Sequence, residues 1–237
     1  MNFGLRVMGS TRHRSASGAP TLLQSKDGGN GSGITSATSS AVGYASTTTA
    51  GSLLVLVVWG QNTTTGTDAA ISSLTPTTSG FSWISAGSPG AYSTGSGHTA
   101  GAVQIFYIAS AASMATSVHT TVVADGAADS TSTLVEFSLY EFYPLTGTKE
   151  TYQTGNGTAS VPSTLNLSTS FTDLIFAAYI APDGHSTAGS GYTIGVNSTS
   201  VNFGGAQYIL SDGSGSIATA FAGSRTVWAA AAVAFKI

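Results

Sequence analysis

The stretch GSLLVLVVWG, Gly51 to Gly60, holds seven consecutive apolar residues, Leu53 to Trp59, between two glycines in a chain otherwise rich in Ser, Thr and Gly. Successive side chains of a strand point to opposite faces, so a strand with one face in a core and one in water alternates apolar and polar. This stretch has no polar face. Leu54, Leu56 and Val58 point one way, and Leu53, Val55, Val57 and Trp59 the other. LIFAAYIA (Leu174 to Ala181), VQIFYIA (Val103 to Ala109) and WAAAAVAF (Trp228 to Phe235) pose the same problem more mildly. Such strands side by side make an apolar patch that has to be covered. The cover is either the chain itself, through its first 33 residues or its Gly/Ser-rich loops, or a neighbouring subunit. Charged residues are only 7% of the chain, against about 25% in an ordinary globular protein. So few charges favour the subunit, and Leu54, Leu56, Val58 and Trp59 are the expected subunit interface.

Around these strands, helix signals are scarce. Lys, Glu, Gln and Arg are rare, and no long stretch keeps a 3.6-residue period. AASMAT (Ala111 to Thr116) suits one short helical turn, and WAAAAVAF reads as a strand because it continues the β-branched run RTVW. Short apolar segments punctuated by Gly, Asn, Asp and Pro predict an all-β, two-sheet antiparallel sandwich, jelly-roll-like in its connections. The order of elements also recurs. LLVLVVWGQN is matched by TDLIFAAYIAPDG, SGFSWISAG by SGYTIGVNS, GAVQIFYIAS by GAQYILSDG, and TLVEFSLYEFYPL by RTVWAAAAVAFKI. This predicts one intertwined sandwich domain over residues 34–237, built from similar halves at 34–145 and 158–237. The joining stretch PLTGTKETYQTGNGTAS reads as a loop, and residues 1–33 as a separate arm.

The charge balance excludes several function classes. Lys and Arg number seven and the net charge is −3, too little positive charge to neutralise a phosphate backbone. Cysteine is absent, which removes disulfides and thiol chemistry. No stretch is long and apolar enough for a membrane span, and the N-terminus has no signal-like apolar run. His13, His98, His119 and His185 fall in no metal-binding spacing. GHTAG (Gly97 to Gly101) resembles a nucleophile elbow but leads into a strand instead of a helix. Glu136 and Glu141 share a strand at odd spacing and so point to opposite faces. A glycosidase pair would need Asp68, Asp125 or Asp173 from elsewhere, and nothing singles one out. DGGNGSG (Asp27 to Gly33) is too poor in carboxylates for a tight calcium site. The expectation is a chain without catalytic residues, metal or cofactor. Trp83 and Tyr92 are the candidates for stacking on a sugar ring.

Read in order, AGSLLVLVVWGQN, SGFSWISAG, AVQIFYIAS, TTVVADG, VEFSLYEFYPL, TDLIFAAYIAPDG and GSGYTIG resemble a β-sandwich domain of tailed-phage virion proteins and some bacterial surface proteins. In that pattern a GDLLV-type strand leads to an aromatic turn, a YxA strand and an E-aromatic-SG strand end. Here Ser52 replaces the Asp, Asp173 keeps it in the second half, and Glu141-Phe142-Tyr143-Pro144 lacks the Ser-Gly. The resemblance implies a non-enzymatic structural or adhesive module. The expectation is a phage virion structural protein (capsid decoration, head fibre or tail-associated), assembled in the host cytoplasm and displayed on the particle surface. It would form a homo-oligomer through its apolar sheet face. Phe3, Leu5, Arg6, Val7, Arg12 and Arg14 would dock it to a capsid or tail protein, and removing residues 1–26 would release it without unfolding the sandwich. A glycan-binding or adhesive module, or an extracellular filament subunit, is the alternative.

Overall fold

The computed structural model describes residues 18–29, 38–62, 71, 73–93, 100–125, 133–145, 147–158, 165–182, 188–195, 204–211, 214–223 and 227–237. The chain is all-β. The first half supplies β1 (Thr21–Gly29), β2 (Ser52–Asn62), β3 (Ser73–Thr78), β4 (Ile84–Ser85), β5 (Gly90–Ser93), β6 (Ala100–Ala111), β7 (Thr120–Asp125) and β8 (Thr133–Tyr143). The second supplies β9 (Thr148–Gly157), β10 (Asn166–Thr169), β11 (Asp173–Ile180), β12 (Thr193–Ile194), β13 (Gly204–Ser211), β14 (Gly215–Ala218) and β15 (Trp228–Lys236). WAAAAVAF is a strand, as its neighbours predict. AASMAT forms no helix: Ala111 closes β6 and Met114 is buried in a core.

Each half builds its own antiparallel sheet, so the expected intertwining does not occur. The first sheet runs β1-β8-β2-β6, with β4 and β5 both pairing β6, and the second runs β9-β15-β11-β13-β12. Apart from β5, which has no counterpart in the second sheet, the two orders match. Both sheets even carry a β-bulge at one equivalent place. Leu23 is the extra residue between Leu22, opposite Phe142, and Gln24, opposite Glu141. Glu150 is the extra residue between Lys149, opposite Phe235, and Thr151, opposite Ala234. Since Phe142 pairs Leu53 and Phe235 pairs Leu174, the two bulges coincide when Ser52 is set on Asp173. The repeat therefore includes two strands beyond its expected bounds. β1 lies inside the expected arm, and β9 inside the expected joining loop. A cut after residue 26 would remove most of β1, so an arm free of the sheet ends before Thr21.

The two sheets pack face to face. Leu53, Val55, Val57 and Trp59 of β2 meet Leu174, Phe176, Ala178 and Ile180 of β11 in one central core. Tyr140 stands edge-on to Phe176 at 4.8 Å, Phe142 to Tyr208 at 5.2 Å and Tyr107 to Phe235 at 5.2 Å. Trp59 Nε1 donates to the carbonyl of Tyr179 at 2.8 Å, which ties the C-terminal ends of β2 and β11. β8 thus faces β13, and β6 faces β15. Reversed strand order with matched direction is what a twofold axis along the strands produces, so the halves pair like the subunits of a dimer.

The outer faces are covered too, by the same chain. Leu54, Leu56 and Val58 lie under Leu74 of β3, Val122 and Ala124 of β7, and Tyr44 and Met114. β7 pairs β3 on one side and bridges Thr38 and Val42 on the other. In the second half, Ile175, Ala177 and Tyr179 lie under Leu167 of β10, with Ile217 of the paired β14 against the same cluster. All eleven residues of β2 are buried. This corrects the expected interface: Leu54, Leu56, Val58 and Trp59 are 0% exposed within a single chain, and no neighbour is required to cover them. Leu54→Ala should therefore lower stability by about 2–5 kcal/mol, as a core cavity does, while the mass by light scattering stays unchanged. A change of oligomeric state without loss of stability would restore the interface reading.

Candidate functional site

The polar chemistry gathers at two equivalent corners, where the chain passes from outer cover to central strand. In the first half the corner is built on Glu141 of β8, buried opposite Leu54. Its Oε1 accepts from the Thr49 amide at 2.6 Å and Ser52 Oγ at 2.8 Å, and its Oε2 from Gln24 Nε2 at 2.6 Å. Gln24 also closes a pair with Ser46, donating to its carbonyl at 3.1 Å and accepting from its amide at 3.0 Å. Tyr44 donates to the Tyr140 carbonyl at 3.0 Å. Burial, and then the Glu141 carboxylate, push that hydroxyl well above its ordinary pKa. One carboxylate thus sews residues 44–52 onto β1 and β8.

The second corner has the same plan with the acid moved. Ala234 stands where Glu141 stands, and the carboxylate comes from the bulge residue Glu150. Glu150 Oε1 accepts from the Ser170 amide at 2.9 Å, three residues before Asp173, as Glu141 accepts from Thr49, three before Ser52. Asp173, at 0% exposed, takes the place of Ser52 beside that carboxylate.

These groups fit a structural role better than a catalytic one. Glu141 is saturated by donors, and Asp173 is buried away from solvent. Glu136 and Glu141 pair with Trp59 and Leu54, which face opposite sides of the sheet, as their spacing predicts. Asp27 accepts from Ser138 Oγ at 2.7 Å inside the β1–β8 pair. No three His, Asp or Glu cluster as a metal site would need among the described residues. Nor is any helix there long and apolar enough to cross a membrane.

Where the halves meet at one edge, the 86–92 segment lies along β9. Lys149 Nζ donates to the Ala86 carbonyl at 2.9 Å, Tyr152 Oη to that of Ser88 at 2.6 Å, and Asn156 Nδ2 to that of Ala91 at 2.8 Å. An open cleft of about 130 Å³ lies at the end of this seam, lined by Tyr92, Ser93, Asn156, Gly157, Thr158 and Val227. Ligand pockets usually exceed about 300 Å³. Tyr92 touches the cleft but is only 5% exposed, and its hydroxyl accepts from Gln61 Nε2 at 3.0 Å. Trp83 is half-buried against the first outer core, with Nε1 donating to Thr78 Oγ1 at 2.8 Å. The two stacking candidates therefore belong to different cores and form no common platform. The docking residues Phe3, Leu5, Arg6, Val7, Arg12 and Arg14 lie outside the described residues, as do His13, His98, His185 and Asp68.

Sequence reasoning missed the pairing of Glu141 with Gln24 and of Glu150 with Asp173. Only the repeat, once extended to β1 and β9, aligns them. Comparison with protein-family models, curated proteins and solved structures returns no match.

Two expectations follow. Glu141→Ala strands three donors and should cost on the order of 3 kcal/mol in urea unfolding, with Glu141→Gln costing less; equal stability of all three chains would contradict the corner's structural role. A Cβ on Gly90 would sit 2.3 Å from the Ala230 carbonyl oxygen. Gly90→Ala should thus cost about 1–3 kcal/mol by forcing the halves apart, read as a lowered melting temperature.

Proposed function

We propose that this chain is a non-enzymatic structural protein displayed on the surface of a phage particle. One observation carries the structural part. Three apolar cores are enclosed within one chain, and the buried carboxylates beside them serve as fasteners for chain corners. Charged residues are only 7% of the chain, which suits a module that works by mechanical persistence.

The phage assignment rests on the resemblance of the strand motifs, and an all-β chain whose sheets pack face to face is compatible with it. Attachment to a capsid or tail protein falls to the segment before β1, since the apolar sheet faces are already covered. Contacts between copies of the chain then use exposed surface. Glycan binding is the weaker reading, because Tyr92 is buried, Trp83 packs half-buried against the first outer core, and the two form no common platform.

Antibody against the chain should label the exterior of particles produced from the genome that encodes it. A variant lacking residues 1–17 should keep its melting temperature and lose the labelling. Particles that never carry the chain would overturn the assignment; labelling retained after the deletion would overturn the docking role.

A further inference from the structure

The internal symmetry bears on the state of Asp173. In the first corner the residue at the start of the central strand, Ser52, is a hydrogen-bond donor, and its hydroxyl fills one site on the Glu141 carboxylate. In the second corner Asp173 stands at that position beside Glu150. An ionised Asp173 has nothing to donate. Both of its oxygens, and Oε2 of Glu150, are then buried without a donor, a costly arrangement for two like charges. A proton on Asp173 removes the repulsion and restores the bond that Ser52 makes.

The geometry points to a proton-operated clasp: Asp173 holds a proton in the folded chain and donates it to Glu150, and loss of that proton loosens the outer cover of the second half. Among the described residues, the charged groups facing Asp173 are Glu150 on β9 and Lys236 on β15. The Lys236 ammonium also lies 4.2 Å over the Phe171 ring centroid. The covering strands β10 and β14, and the turn 170–172, carry no ionisable side chain. Burial, followed by the hydrogen bond and charge of Glu150, raises the Asp173 pKa from 3.8 to about 6, against a smaller opposing pull from Lys236. The sign follows. The folded chain holds this proton more tightly than the unfolded one. The stability it contributes is complete below about 4 and is lost as pH rises through about 6. What loss of the proton releases is local, because β10 ends at Thr169, directly before the amide that Glu150 holds.

Carbon-13 NMR of the full chain, following the Asp173 side-chain carboxyl from pH 3 to 8, tests this without a variant. The expected midpoint is near 6; a midpoint near the ordinary value of about 4 would overturn the clasp. Hydrogen exchange of the Ser170 amide, corrected for its intrinsic rate, gives the structural readout. Its protection should fall at least several-fold between pH 5 and 8 in the native chain and stay level in Asp173→Ser, which copies the first corner. Protection independent of pH in the native chain, or an equal fall in Asp173→Ser, would also overturn it.

Discussion

A strand that is apolar on both sides has to be covered on both sides, and the rest of this molecule follows from that. β2 and β11 carry the demand most strongly, and it cannot be met by a two-layer sandwich. The chain meets it with four layers: a ribbon, a sheet, a second sheet and a second ribbon. Packing β2 against β11 satisfies the inner faces of both halves at once. The outer faces are then satisfied separately, by β3 and β7 in one half and by β10 and β14 in the other. The low charge of the chain fits the same plan. Few exposed charges are needed when the apolar surface is enclosed.

The two halves share more than an order of strands. Each has a bulge at one place, a carboxylate that accepts an amide three residues before the central strand, and a polar residue opening that strand. The acid itself has moved, from β8 in the first half to the bulge of β9 in the second. Glu141 and Glu150 are therefore not sequence equivalents, yet they hold the same corner. Position in the fold, and not identity in an alignment, defines the role. The first half also carries β3 and β5, which have no counterpart, so its cover is broader.

Much of this was legible in the sequence. The apolar runs gave the central strands, and the repeated order of motifs gave the equivalence of β2 with β11, β6 with β13 and β8 with β15. β1 and β9 were not legible. TKETYQTGNG is polar at nearly every position because β9 is an edge strand with little buried surface, so neither alternation nor β-branched content marks it. The cover of the outer face was misjudged for a related reason. SLTPTT and TTVVAD look like loop and ordinary strand, and their one apolar face is too short to announce what it packs on. The corners were hidden because a hydrogen bond between Gln24 and Glu141 spans 117 positions.

The connection between the halves is only the four residues between Tyr143 and Thr148. Two subunits with this interface, if separate, would associate by mass action and come apart on dilution. Tethered this closely, each half meets the other at an effective concentration that on the order of millimolar describes for short linkers. The assembled state therefore persists however dilute the surroundings. A symmetric interface written into one chain withstands dilution where a dissociable pair would not.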